Sequence, residues 1–436
     1  MNDTILEIIK KRALIIDGAM GTQIQCSTIA DEAWLDENNE NQEGCNELLN
    51  ATVPNVISNI HKAYILSGAD MIKTNTFGCM DWVLDEYGMG HRAYELSRAG
   101  ASIVKELCDE YSTLQKPRFV LGSIGPGTKL PSLGHIDYDS MYAGYKEVAR
   151  GLKDGGVDVF LLETCQDPLQ IKAAIHALQD LDASIPIMVS VTIELSGSML
   201  IGTDAQTIAT ILEPFDILSL GFNCGTGPAQ IKKHLEVLSE VYDKPISVHA
   251  NAGLPENRGG QTYYPMDDKE FAIAQKEFLK YDGVAFLGGC CGTTPIHIKA
   301  LCEEIKDITP KESSGNHPTS LASLFQTVPL MQDPAPLLIG ERSNATGSKA
   351  FRELLKANDY EATLSVGQEQ VRSGAHVIDV SVGFAGRDET ADMKEVISRY
   401  SQKIQLPLMP DTTQLPALEA ALKLIGGKCI INSVNL

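Results

Sequence analysis

The stretch Gly283-Val284-Ala285-Phe286-Leu287-Gly288-Gly289-Cys290-Cys291-Gly292-Thr293-Thr294-Pro295 decides how the first three hundred or so residues fold. Its apolar run, 284–287, reads as a buried strand that ends in glycine and cysteine. Thr294 followed by Pro295 is an N-cap with proline at the first helical position, so a helix running to about residue 306 is expected. The same unit recurs toward the N-terminus. Strands are expected at 14–16, 71–75, 119–123, 159–163, 187–192, 217–223 and 246–250. Helices are expected at 54–67, 91–110, 141–155, 168–180, 228–241 and 267–281, after a short amphipathic helix within 1–12. Eight strand-then-helix units make an α/β chain of the (β/α)8 TIM-barrel class. A doubly wound open sheet is the competing arrangement, but it more often stops at about five to seven strands.

Downstream the character changes. Residues 309–318 are polar and turn-rich, and Asp333-Pro334-Ala335-Pro336 is a second breaker, with a short helical piece expected at 321–325. Alternation then resumes, with strands expected at 337–340, 377–380, 406–410 and 428–432 and helices at 348–358, 361–373, 388–401 and 415–425. The expected organisation is a barrel over 1–307, a linker over 308–335, and a partial second TIM-like barrel over 336–436.

Charge narrows the function. With 36 Lys+Arg against 57 Asp+Glu the net charge is −21, which argues against nucleic acid and anionic membranes as partners, since both need a cationic face. No run approaches the length of a membrane span, and no secretory core follows the N-terminus, so a cytoplasmic location is expected. Most of the ten cysteines sit singly in apolar stretches, as small buried hydrophobes do.

In a TIM barrel the chemistry sits where strands end at their C-termini. Here those ends carry Asp17, Lys73-Thr74-Asn75, Ser123, Glu163-Thr164, Asn223-Cys224, His249-Ala250-Asn251 and Cys290-Cys291. Asp17 or Asn75 alone reads as a turn former or cap. Glu163, after four apolar residues, needs a partner, because an unpaired buried carboxylate is costly. Their coincidence at one mouth points to a ligand site.

Cys224, Cys290 and Cys291 carry the sharpest signal. Three thiolates with an open fourth position form a catalytic zinc pattern, whereas structural sites close with four protein ligands. From spacing alone two readings stay open, a zinc centre or three separately buried cysteines. Zinc would keep an incoming thiol deprotonated, which suits alkyl transfer to sulfur.

The stretches Asp17-Gly18-Ala19-Met20-Gly21-Thr22, Lys73-Thr74-Asn75-Thr76-Phe77, Gly122-Ser123-Ile124-Gly125-Pro126, Glu163-Thr164, Gly221-Phe222-Asn223-Cys224 and Gly288-Gly289-Cys290-Cys291-Gly292-Thr293 resemble the homocysteine-binding, zinc-dependent S-methyltransferase family. The resemblance implies that Cys224, Cys290 and Cys291 bind Zn²⁺ and that homocysteine completes the site through its sulfur. It implies that Asp17 and Glu163 hold the amino group, with Ser123 and Asn75 nearby. Further on, Ile339-Gly340-Glu341-Arg342-Ser343-Asn344-Ala345-Thr346-Gly347-Ser348 resembles the opening of the pterin-binding barrel of cobalamin-dependent methionine synthases. That resemblance implies pterin contacts from Glu341, Asn344, Asp379, Asp411 and Asn432, with methyltetrahydrofolate as the methyl source.

Two departures stand out. Ser381 occupies a position where a second asparagine is expected, and no Asp-x-His-x-x-Gly cobalamin segment occurs in the chain. Methylcobalamin is therefore expected on a module in trans or on sequence absent from this chain. The expected function is zinc-dependent methyl transfer to homocysteine, giving methionine. The alternatives are another donor, S-methylmethionine or betaine, or a non-catalytic homocysteine- and zinc-binding subunit.

Overall fold

Alternation of side chains along the short parallel strands sorts the first three hundred residues into a lumen and an outer layer. The strands are β1 (Leu14–Ile15), β2 (Met71–Lys73), β3 (Phe119–Ile124), β4 (Val159–Cys165), β5 (Ile187–Val191), β6 (Ser219–Asn223), β7 (Ile246–Ala250) and β8 (Val284–Gly289). The computed structural model describes residues 2–316 and 318–433, the side chains of 2, 3 and 261 excepted. The strands pair in the order β1-β8-β7-β6-β5-β4-β3-β2, all parallel, and a parallel bridge between Ile16 and Met71 closes the ring. The structure is thus a TIM barrel rather than an open sheet.

Leu14, Ile16, Met71, Phe119, Leu121, Val159, Leu161 and Met188 fill the lower lumen, packed on Ile5 and Ile9 of the N-terminal helix Asn2–Ile9. Residues of the opposite parity, such as Ile15, Ile72, Val120, Phe160 and Leu162, pack outward in the cluster that the helices cover. With apolar side chains filling the bottom, the polar strand ends gather at the top. Most expected elements shift only at their ends. The sixth strand begins at Ser219 rather than 217, and the second stops at Lys73 rather than 75. A small hairpin after β7, Glu256–Arg258 with Gln261–Tyr263, was not expected.

Two expectations downstream are corrected. Residues 321–325 form no helix. Ser320–Ala322 and Thr327–Pro329 are instead the arms of an antiparallel hairpin, whose turn is held by Ser323 Oγ accepting from Phe325 and Gln326 N–H. So short a segment gains little from helix formation, whereas Ala322 N–H finds a partner in the Lys428 carbonyl. Residues 428–432 form no continuous strand. Lys428 bridges Ala322 antiparallel while Asn432 bridges Asp411 parallel, so the segment divides its pairing between two sheets. The second unit is therefore a three-stranded parallel sheet, β9 (Ile339–Asn344), β10 (Val377–Ser381) and β11 (Leu408–Pro410), covered by four helices, Lys349–Lys356, Tyr360–Arg372, Glu389–Lys403 and Leu415–Leu422. The linker packs against the barrel at its start. Gly283 N–H donates to the Lys311 carbonyl and Asn316 N–H to that of Glu240, which ties 311–316 to the barrel.

The two units are joined by polar contacts. The half-buried Lys172 donates its ammonium to the carbonyls of Ile425 and Gly427, Thr203 Oγ1 donates to that of Leu324 (2.6 Å), and Lys423 pairs with Asp139 (2.8 Å). Among the described residues no helix is long and apolar enough to cross a membrane.

Below the closing bridge lies a buried ion pair. Asp70, fully buried, accepts both guanidinium nitrogens of Arg12 (2.7 and 2.9 Å) and the Ile15 N–H (3.0 Å), which ties the start of β1 to the start of β2. Removing one member of a buried pair leaves the other uncompensated, at about 3–5 kcal/mol. Because Arg12 is partly exposed, Asp70→Asn is expected to cost about 2–3 kcal/mol by urea denaturation, with metal uptake by the remaining folded protein unchanged.

Candidate metal and amino-acid site

The three cysteines expected to act together are brought together. The sulfurs of Cys224, Cys290 and Cys291 all lie within 4.8 Å of one another, with Cys224 and Cys291 at 3.7 Å. Cys224 follows β6, and Cys290-Cys291 follows β8. Cys290 N–H donates to the Ala250 carbonyl and Ala252 N–H to that of Cys291, so the β8 turn is stitched to the end of β7. Gly292 turns the chain at φ +78°, and its bare Cα faces the Tyr264 ring so closely that any Cβ would clash.

Strain is concentrated beside the sulfurs. Thr164 (φ +62°) and Cys224 (φ +57°) are two of the few non-glycine residues in the left-handed region, a costly place for a β-branched threonine. Asn223 holds Thr164 in place and reaches the cysteine turn. Its Oδ1 accepts from Thr164 N–H and Ser190 Oγ, each at 2.8 Å, while its Nδ2 donates to Thr164 Oγ1 (2.8 Å) and reaches Cys290 Sγ at 3.8 Å.

With no cation among them, three sulfurs this close cannot carry three charges. Hydrogen bonds from Cys224 and Cys290, with a third from Tyr264, hold Cys291 well below the usual thiol range against the cost of burial. Cys224, hydrogen-bonded to Cys290 and Cys291 and buried, is pushed far above it. At Cys290 the hydrogen bond from Cys224 lowers the thiol, but Cys291 and burial raise it more. Such a cluster favours a cation that would let all three ionise. Two thiolates held tetrahedrally at a Zn–S distance of about 2.3 Å lie about 3.8 Å apart, close to the 3.7 Å here.

The sulfurs open on a cavity of about 370 Å³ at the barrel mouth, lined also by Thr22, Asn46, Glu47, Lys73, Asn75, Ser123 and Glu163. Ser123 Oγ donates to Glu163 Oε1 at 2.5 Å. Asn75 lines the wall, but its Nδ2 is already used, donating to the Asn46 carbonyl (2.8 Å) and Asn50 Oδ1 (2.9 Å). Asp17 lies behind the wall, 2% exposed, with Lys73 between it and the cavity. The Lys73 ammonium stands 3.9 Å from Asp17 Oδ1 and 3.8 Å from Glu163 Oε2. Burial raises the Asp17 carboxyl to about 8, the Lys73 charge lowering it and that of Glu163 adding to the rise. Burial also raises Glu163. Burial works against the Lys73 charge, yet Glu163 and Asp17 outweigh it and its affinity for the proton is raised.

Sequence reasoning assigned no role to Lys73 or Asn223. The signal for Lys73 was a lone charge in Met71-Ile72-Lys73, at the parity of the lumen-facing Met71. Asn223 gave no such signal, since its partners come from three strands.

In the second unit Glu341, Asn344, Asp379, Asp411 and Asn432 lie toward the C-terminal ends of β9, β10 and β11 and in the segment beside them. Asn344 Nδ2 donates to Asp379 Oδ2 (3.3 Å), while Asp379 Oδ1 is buried with no hydrogen-bond partner. Burial and then Asp411 raise the Asp379 carboxyl to about 6, against the hydrogen bond from Asn344. Asp411 and Asn432 are joined by the parallel bridge, and Glu341 is exposed. Ser381 sits opposite Asn344 in register.

Two outcomes follow from these contacts. Asn223→Ala frees Thr164 from its clamp and removes the amide beside Cys290 Sγ, and is expected to weaken zinc binding about 10–100-fold in a chelator competition. A buried acid whose folded pKa is raised holds a proton that the unfolded chain has lost. Stability of the metal-free chain should therefore fall as pH rises from about 4 toward 8, and Asp17→Asn should make that fall shallower, measured by urea denaturation at pH 5 and pH 8.

Residues 14–305 match the sequence model of the homocysteine S-methyltransferase family, and residues 340–436 match that of pterin-binding enzymes. The methionine synthase of Mycobacterium tuberculosis (strain ATCC 25618 / H37Rv) is 42% identical over 437 residues, covering 99% of this chain and 36% of that protein. That of Mycobacterium leprae (strain TN) is 42% identical over 440 residues, with the same coverage of 99% and 36%. The chain thus spans about a third of the length of these curated relatives. Among solved structures, the metallated form of the homocysteine methyltransferase MmuM from Escherichia coli superposes with a TM-score of 0.53 at 20% identity, covering 68% of this chain and 97% of that one, a likeness of fold. With the barrel, the cysteine cluster and a family match over 14–305 in agreement, this chain belongs to the homocysteine S-methyltransferase family.

Proposed function

We propose that this chain transfers a methyl group to the sulfur of homocysteine, giving methionine, as the homocysteine- and folate-binding part of a cobalamin-dependent methionine synthase. The observation that carries the reading is the opening of three clustered sulfurs onto the same cavity as Lys73, Ser123 and Glu163. In this reading residues 1–307 form the methyl-accepting barrel, 308–335 the linker, and 336–436 the methyltetrahydrofolate-binding unit.

Cys224, Cys290 and Cys291 would hold Zn²⁺ as thiolates, and their spacing suits it. When bound, zinc supplies a Lewis acid that keeps a thiol deprotonated and nucleophilic near neutral pH. The chain's own residues do the rest. Glu163, its Oε1 already bonded to Ser123, offers Oε2 to a substrate ammonium, and Asp17 supports that end from behind Lys73. Anchoring the amino-acid end fixes the reach of the side chain to the sulfurs, which lowers the entropic cost of alignment. Asn75, held by Asn46 and Asn50, shapes the wall. The sulfurs must stay reduced, which suits a cytoplasmic location.

In the second unit, Asp379 Oδ1, buried and without a partner, suits the N–H groups of a pterin ring, with Asn344, Asp411, Asn432 and Glu341 around it. Methylcobalamin would come from a module in trans or outside this chain. The polar cluster of the second unit favours this reading over S-methylmethionine or betaine as donor, since neither needs a pterin site.

The test is zinc content together with methionine formation from homocysteine and free methylcobalamin. About one zinc per chain and steady methionine production are expected, with Cys290→Ala and Cys291→Ala losing both. Full zinc retention in both variants would overturn the metal assignment. Methionine formed from S-methylmethionine or betaine, with none from methylcobalamin, would shift the donor.

A further inference from the structure

Lys73 stands where an amino-acid ligand would meet it. It lines the cavity beside Glu163, with its ammonium 3.8 Å from Glu163 Oε2. Its one hydrogen bond is to the Gly289 carbonyl at 3.2 Å, the residue before Cys290, and Asp17 Oδ1 at 3.9 Å is beyond hydrogen-bond reach. An ammonium has three N–H donors, so this one retains capacity for an acceptor. A cation and an anion side by side on one wall are the complement of a zwitterion, whose ammonium and carboxylate hang from a single carbon. Glu163 suits the ammonium. The lysine is left for the carboxylate.

We propose that Lys73 is the specificity residue that binds the substrate's α-carboxylate, so that Lys73 and Glu163 together select a zwitterionic α-amino acid thiol over thiols lacking either charge. The inference rests on the reading of this cavity as the homocysteine pocket. The tie to the Gly289 carbonyl gives Lys73 a second task, since it holds the carboxylate-binding group in fixed relation to the turn that carries Cys290 and Cys291.

The experiment measures binding to the zinc-loaded chain, by calorimetry, of homocysteine, of 3-aminopropane-1-thiol (the same thiol without the carboxylate), and of 4-mercaptobutanoate (without the amino group). The unaltered chain is expected to prefer homocysteine over both analogues. Lys73→Met, which keeps the aliphatic volume and removes the charge, is expected to lose tenfold or more in homocysteine affinity but to bind 3-aminopropane-1-thiol at least as well as the unaltered chain, since Glu163 then meets the ammonium without a competing cation. Lys73→Arg is expected to recover part of the loss for homocysteine alone. Equal losses for homocysteine and 3-aminopropane-1-thiol, with zinc content intact, would make Lys73 merely structural and overturn the proposal, as would unchanged homocysteine affinity. If Lys73→Met does not fold, Lys73→Arg carries the test, and an arginine variant that weakens both thiols alike counts against the proposal. Failure of the unaltered chain to bind homocysteine would instead overturn the pocket's assignment.

Discussion

Charge buried at the mouth of a closed barrel has to be balanced within a few ångströms, and that constraint organises this protein. Asp17, Glu163 and three sulfurs crowd one end of a lumen whose other end is filled by apolar side chains. Water is largely excluded, so each group must find a proton, a counter-ion or a hydrogen bond. Lys73 answers two carboxylates at once, Ser123 serves one of them, and the sulfurs share one another's protons. Under the proposed function, a cation at the sulfurs and a charged amino acid beside them would complete that balance.

Rigidity near the sulfurs follows from the same closure. Left-handed backbone at Thr164 persists because Asn223, fully buried, links strands β4, β5 and β6 through one amide. Such a clamp works only when the strands are fixed by the ring of parallel pairs, with the Ile16–Met71 bridge as its last link. The Arg12–Asp70 pair lies directly below that bridge, so the same two strands that carry Asp17 and Lys73 upward are anchored at their base.

The second unit depends on the first for part of its order. Its sheet has three strands, and the segment after them is held at one end by the linker hairpin and at the other by β11. Lys172 from the barrel closes the loop between Gly427 and Ile425 by donating to their carbonyls. A linker that reads as polar and turn-rich in sequence is thus a structural piece between two units, because its backbone groups satisfy edges on both sides.

Strand count and the arrival of Asp17, Ser123, Glu163, Cys224, Cys290 and Cys291 at one rim were legible in the sequence, because they follow from local apolar patterning and from the rule that barrel chemistry sits at strand C-termini. Spacing alone left the cysteines open to a second reading as separate buried hydrophobes, and only their meeting within 4.8 Å removes it. The hairpin at 320–329 and the divided segment at 428–432 were misread for a related reason: short segments take their form from distant edges, not from their own residues. The ring's closure decided the rest, that Asp17 lies behind the cavity wall, that Lys73 stands between two carboxylates, and that Asn223 holds a strained turn. Those are contacts between residues tens to hundreds of positions apart. A lysine at the end of β2 has its meaning set by β4 and β8, which no reading along the chain brings beside it.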